Sequence, residues 1–178
     1  VIFLSAQQRA EVLETAHAVV QGRVPLLAGV IDPTTDRVIE HAQQARTIGV
    51  DALVLTSPFY ARTSQPEILQ HFRCVRESVD LPIIAYDIPV STHYKLERAT
   101  VVQLAREGVI VGLKDSSGDE ANFRGVLLEL QDQPGISLFT GSELTVDASL
   151  LMGARLRARS CQRGPARPCA AVRGGPPG

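Results

Sequence analysis

The sequence predicts an α/β protein whose strands form one parallel sheet, on three observations. Short apolar, β-branched runs recur at intervals of roughly 26–30 residues. Between each pair of runs lies a stretch with apolar residues at helical spacing. Glycines, prolines and small polar residues mark the joints. Strands alternating with helices in this way demand parallel pairing through right-handed crossovers. Periodicity by itself leaves a closed barrel and an open doubly wound sheet both standing. The absence of a Gly-x-Gly-x-x-Gly turn after any strand argues against a dinucleotide-binding sheet.

Taken in order, Ser5-Ala-Gln-Gln8 is a capping-box pattern opening a helix with Val12, Leu13, Ala16, Val19 and Val20 along one side, stopped at Gly22. A strand follows at Val24–Val30, then a helix from about Thr35 to Ile48 ended by Gly49, and a strand at Ala52–Thr56. Ser64 with Pro66 opens the next helix, where Ile68, Leu69, Phe72 and Val75 share a face. The strand Pro82–Tyr86 leads to a helix near Leu96–Arg106, and the strand Val109–Lys114 to one near Ala121–Leu130. The last clear strand is Ile136–Thr140, with a helix from about Leu144 to Met152.

A chain of 178 residues with 44% hydrophobic content sustains one real core. It is short of the roughly 250 residues of a complete (β/α)8 barrel. No apolar run approaches the ~20 residues of a membrane span, and no charged-then-apolar leader suggests export. Three cysteines form no even framework: Cys74 falls in a helical pattern as a packing residue, while Cys161 and Cys169 have no metal-ligand companions. That usage fits a reducing cytoplasm, and no metal or other cofactor is implied. The net charge of −1 hides an asymmetry, because residues 155–178 carry six arginines and no acid. All 19 acids therefore lie in residues 1–154, against 12 basic residues, and so acidic a body is a poor nucleic-acid binder. Residues 1–154 read as the folded domain. Residues 155–178, with eight glycines and prolines and no strand or helix period, read as a disordered or out-of-frame tail.

Lys114 is one of only two lysines and closes the strand of Val-Gly-Leu-Lys-Asp-Ser-Ser-Gly. A lysine there is costly to desolvate unless it is paired or used, and a buried amine is freed for attack on a carbonyl. One βα unit earlier, Tyr86 closes its own strand in Ala-Tyr-Asp-Ile-Pro. A phenol and an amine at matching strand ends suit a Schiff-base centre with its own proton shuttle. From position alone, a strand-capping lysine in a surface salt bridge is the more common arrangement. Asp115 and Asp119 read as solvated loop carboxylates, with Asp119 a candidate helix cap. His71 reads as a packing residue in a helix, and His93 as a loop residue beyond Tyr86.

Six stretches together carry a resemblance: Gly22-Arg-Val-Pro-Leu-Leu-Ala-Gly29, Leu55-Thr-Ser-Pro-Phe-Tyr60, Ser64-Gln65-Pro66 with Gln70-His71-Phe72, Tyr86-Asp-Ile-Pro89, Gly112-Leu-Lys-Asp-Ser-Ser-Gly-Asp119, and Phe139-Thr-Gly-Ser142. In order and spacing they resemble the pyruvate-dependent class I aldolases typified by dihydrodipicolinate synthase and N-acetylneuraminate lyase. The resemblance implies an incomplete TIM (β/α)8 barrel of about five βα units, with candidate residues gathered at the strands' C-terminal ends. It implies Lys114 as Schiff-base nucleophile, Tyr86 as acid and base, and Tyr60 as a relay residue crossing a dimer interface. Gly141 and Ser142 would line the keto-acid pocket. The partners implied are pyruvate or another 2-keto acid and an aldehyde, in a homodimer or homotetramer.

Three departures from the family pattern matter. Where synthases read Asn-Val-Pro-Gly-Arg-Thr, this chain reads Asp87-Ile-Pro-Val-Ser-Thr92, so Ser91 replaces an arginine that grips a substrate carboxylate. That favours a lyase or aldolase over the synthase, with a non-catalytic sugar-acid binder as a further alternative. The family's first two strands and its Gly-Thr-Thr-Gly-Glu loop would precede Val1, and its closing βα units would follow Ala154. Five of eight strands cannot close a barrel, so the chain alone is expected to turn over poorly.

Overall fold

A computed structural model describes residues 3–154 together with the two-residue strand Leu156–Arg157. The elements run α1 (Ala6–Val20), β1 (Leu27–Gly29), α2 (Thr35–Ile48), β2 (Ala52–Leu55), α3 (Gln65–Ser78), β3 (Ile83–Asp87), α4 (Pro89–Thr92), α5 (Arg98–Arg106), β4 (Gly112–Asp115), α6 (Glu120–Glu129), β5 (Ser137–Thr140), α7 (Val146–Leu151) and β6 (Leu156–Arg157). Every strand pairs in parallel with the next, in the order β1-β2-β3-β4-β5-β6. A doubly wound sheet reverses its strand order at a switch point. An order that never reverses is a segment of barrel wall, so the alternative left open by periodicity is resolved for the barrel.

The expected helix starts are built as the sequence indicates. Ser5 Oγ accepts from Gln8 N at 3.2 Å while Ser5 N donates to Gln8 Oε1 at 2.9 Å. Ser64 donates from its backbone N–H (2.7 Å) and its hydroxyl (2.8 Å) to Glu67 Oε2, which holds that carboxyl below its ordinary range. Asp119 caps α6 by accepting from Asn122 N at 3.0 Å.

Alternation along the strands divides the sheet into two faces. Leu53, Leu55, Ile83, Ala85, Leu113 and Leu138 are buried and join one core with Val38, Ala42, Ile68, Phe72, Val75, Leu104 and Phe123 from the helices. The intervening residues Val54, Ile84, Tyr86, Lys114 and Phe139 are only half-buried on the other face. The helix layer therefore covers one face, and the half-buried face corresponds to the interior of the barrel.

Two strands differ from expectation for identifiable reasons. The strand expected at Val24–Val30 pairs only over Leu27–Gly29, since Pro25 has no N–H to donate and Val24 is exposed. The strand expected at Val109–Lys114 begins later, because Val109 N and Ile110 N both turn back to Leu104 O at the end of α5. Its end moves with it, from Lys114 to Asp115, just as β3 ends at Asp87 rather than Tyr86. The sheet also continues beyond Ala154, where Leu156 and Arg157 pair with Phe139 and Thr140. The expectation of a disordered or out-of-frame tail, and Cys161 and Cys169 with it, otherwise lies outside the described residues. Among the described residues no helix is long and apolar enough to cross a membrane.

Candidate active site

Tyr86 and Lys114 are register partners on β3 and β4, so parallel pairing sets them side by side on the inner face. The Lys114 amine lies over the Tyr86 ring, 4.2 Å from its centroid. An ammonium there is attracted to the ring face, and the same placement leaves the amine facing the barrel interior instead of a carboxylate. Among the described residues Lys114 takes part in no salt bridge.

The other expected site residues are placed less closely. Gly141 sits at the end of β5, its N–H donating to Asp115 O at 2.6 Å. A Cβ at this position would lie 2.2 Å from Ser116 Oγ and 2.9 Å from Asp115 O, so only glycine allows this approach of β5 to the end of β4. Ser142 N donates to the Thr140 hydroxyl at 3.0 Å, and Ser142 Oγ accepts from Thr145 Oγ1 at 2.9 Å. Ser91 lies exposed on α4, a short helix the sequence does not announce. Tyr60 is 96% exposed at a left-handed φ of 78°, and no hydrogen bond joins it to the Lys114–Tyr86 pair among the described residues. The structure thus brings Lys114, Tyr86 and the Gly141 turn together, while Tyr60 and Ser91 are exposed.

Asp115 corrects the sequence reading. It is a buried strand residue, not a solvated loop carboxylate, because the shifted end of β4 turns its side chain to the helix-covered face. There it meets Asp87, its register partner, and Lys95 donates to one oxygen of each: to Asp87 Oδ2, and to Asp115 Oδ2 at 3.4 Å. Burial, the largest influence, pushes the Asp87 carboxyl up, while Lys95 and the Leu96 N–H pull against it. Sequence reasoning missed this cluster. One signal was available: Asp87 stands where the resembled synthases have asparagine, and a new buried charge calls for a cation nearby.

Two further buried groups went unnoticed or were only partly read. Asp32, buried after β1, is flanked by Arg37 Nε at 3.0 Å, His41 Nε2 at 3.4 Å and Arg9 Nη2 at 4.0 Å. His71 is a packing residue as expected, edge-on to Phe72 and 2.9 Å from Thr35 Oγ1 through Nδ1. Burial lowers its pKa from 6.5 to about 4.

The family model described as the dihydrodipicolinate synthetase family matches residues 1–159. The chain belongs to that family. Among curated relatives, the 4-hydroxy-tetrahydrodipicolinate synthase of Macrococcus caseolyticus is 37% identical over 116 residues, covering 65% of this chain and 39% of the relative. That of Exiguobacterium sibiricum is 35% identical over 152 residues, covering 85% and 51%. The chain therefore spans about half the length of the curated relatives it matches.

Solved structures agree on the fold. Dihydrodipicolinate synthase DapA-2 of Bacillus anthracis superposes with a TM-score of 0.83 at 27% identity, covering 88% of this chain and 53% of that one. The Escherichia coli K12 prophage protein YagE, a family member solved in complex with pyruvate, gives 0.81 at 29%, covering 86% and 52%. The TIM-barrel architecture of the family follows from these matches, with this chain as an incomplete barrel of five βα units and the start of a sixth strand.

Proposed function

We propose that the chain carries the chemical centre of a lysine Schiff-base lyase or aldolase that makes or breaks a carbon–carbon bond of a 2-keto acid, with pyruvate as one partner. The observation that carries this reading is the Lys114 amine lying 4.2 Å from the Tyr86 ring on the inner face, with no carboxylate paired to it among the described residues. In this reading the Lys114 nitrogen adds to the keto carbon and the carbonyl oxygen leaves as water, giving an imine. The protonated imine accepts the electron pair released when the neighbouring carbon–carbon bond breaks. Tyr86 returns and removes the protons at the substrate oxygen.

Gly141, Ser142 and Ser91 take the pocket roles, and the exposed Tyr60 suits a relay through a partner subunit in a cytoplasmic homodimer or homotetramer. The names of the curated relatives favour a second reading, 4-hydroxy-tetrahydrodipicolinate synthase proper, with aspartate semialdehyde as the aldehyde. Ser91 argues the other way, since a serine cannot supply arginine's charged fork to a second carboxylate. A non-catalytic sugar-acid binder would have no use for both the amine and the phenol.

Coupled assays discriminate among these. Cleavage of sugar-derived 2-keto acids to pyruvate, or condensation of pyruvate with neutral polyhydroxylated aldehydes, should outpace condensation with aspartate semialdehyde. Lys114→Ala should abolish all turnover. Faster condensation with aspartate semialdehyde would reassign the chain to the synthase, and turnover that survives Lys114→Ala would remove the Schiff base altogether.

A further inference from the structure

The ends of β3 and β4 carry two pairs of register partners back to back. Tyr86 and Lys114 face the barrel interior, and the next pair, Asp87 and Asp115, faces the helices. Neighbouring strands lie only about 4.8 Å apart, and like charges directly opposite each other push strands apart. Both carboxylates are buried, so water screens little of that repulsion. What holds them is Lys95, which bridges Asp87 Oδ2 and Asp115 Oδ2.

The remaining oxygens are also occupied. Asp87 Oδ1 accepts from Leu96 N at 3.1 Å, and Asp115 Oδ1 accepts from the Ser117 N–H (2.8 Å) and hydroxyl (2.7 Å). Lys95 is itself anchored, because Gln65 at the start of α3 donates to Lys95 O at 2.9 Å and accepts from Thr100 Oγ1 at 2.5 Å. One bonded path therefore runs from α3 through Gln65 and Lys95 to both strand ends.

We propose that Lys95 is a positioning residue for the Lys114–Tyr86 pair: by clamping Asp87 to Asp115 on the covered face, it holds the phenol and the amine in register on the open one. Lys95 touches no substrate in this scheme. Its effect on chemistry passes through the strand backbone, whose last link is the Ser116 N–H bonded to Asp87 O at 2.8 Å. Breaking a buried bridge by removing one partner leaves an uncompensated charge, whereas neutralising its counterpart at the same time relieves that charge. The chemical half of the proposal rests on the Schiff-base reading above, and the backbone half does not.

The test compares wild type, Lys95→Met, Asp87→Asn and the double variant Asp87→Asn/Lys95→Met. Two readouts are taken on folded protein: amide hydrogen exchange at Ser116, and the rate of pyruvate labelling of Lys114 under borohydride. Lys95→Met should speed Ser116 exchange at least about tenfold. It should slow labelling at saturating pyruvate by a similar factor, with little change in half-saturating pyruvate, since small displacements of reacting groups cost rate steeply. The double variant should recover part of both losses, because removing the Asp87 charge ends the repulsion across the two strands while Asp115 keeps its Ser117 donors. Unchanged exchange and labelling in Lys95→Met would overturn the proposal. So would a double variant as impaired as the single one, or slowed labelling without faster exchange. If Lys95→Met proves unfolded, the neutral Lys95→Gln takes its place and should show the same faster exchange and slower labelling; unchanged values in both would overturn the clamp. If wild type fails to label at Lys114, the Schiff-base reading falls, while the exchange data still decide whether Lys95 clamps the strands.

Discussion

The two faces of the β3–β4 strand ends differ in how their polar groups are used. On the helix-covered face Asp87, Asp115 and Lys95 satisfy one another, every carboxylate oxygen has a donor, and the buried core contains Leu113 and Phe72. On the inner face the Lys114 amine has an aromatic ring beside it and no carboxylate among the described residues. A group whose bonds are already made stabilises the fold, and a group left with bonding capacity at a strand's C-terminal end can meet a ligand. Residues one position apart in sequence thus belong to different tasks.

Substitutions on the two faces should separate along that line. The largest effect on chemistry without an effect on folding is expected for Tyr86→Phe. It should lower turnover by about 10²–10⁴, equivalent to about 3–5 kcal/mol of barrier, while the melting temperature stays put. Comparable turnover in the variant would mean that the inner face holds only a structural tyrosine. On the covered face Phe72→Ala should do the reverse, costing about 3–5 kcal/mol of stability in a denaturant titration and leaving the chemistry of the folded fraction intact.

A smaller effect is expected from His71, whose pKa falls to about 4 in the folded protein. A depressed histidine leaves the unfolded chain holding more protons between about pH 6.5 and 4, so its contribution is fully present above that range. It is lost as pH falls through the range, by up to about 3 kcal/mol. Asp87, whose pKa is raised, works in the opposite sense. Comparing His71→Asn with wild type isolates the histidine: the variant should show a flatter fall of stability on acidification, and equal slopes would count against a buried neutral imidazole. Smallest is Gly141→Ala, where the added methyl presses on Ser116 and Asp115 and should cost about 1–3 kcal/mol in the same titration.

Much of this contrast was legible in the sequence, and the remainder was hidden for physical reasons. The β-branched runs located all five main strands, and the lysine one unit after a strand-end tyrosine pointed to two residues that the register sets side by side. The family's motifs supplied the barrel, which the unbroken strand order bears out. Strand ends were less legible, because the α5 turn consumes Val109 and Ile110 before pairing begins. Ending the strand at Lys114 concealed the buried role of Asp115, which continues the alternation one residue further onto the opposite face. The Lys95 bridge spans 8 and 20 residues of chain, so no local pattern announces it. The left-handed Tyr60 and the four-residue α4 likewise depend on tertiary closure of loops.

The division of labour between the two faces has one direct measurement, because the only two lysines of the chain lie on opposite sides of it. Pyruvate and borohydride are added, the protein is digested, and the reduced adduct is mapped by mass. Lys114, over the Tyr86 ring and in no salt bridge among the described residues, should carry the adduct. Lys95, tied to Asp87 and Asp115, should stay unmodified. An adduct on Lys95, or none on either lysine, would contradict the account.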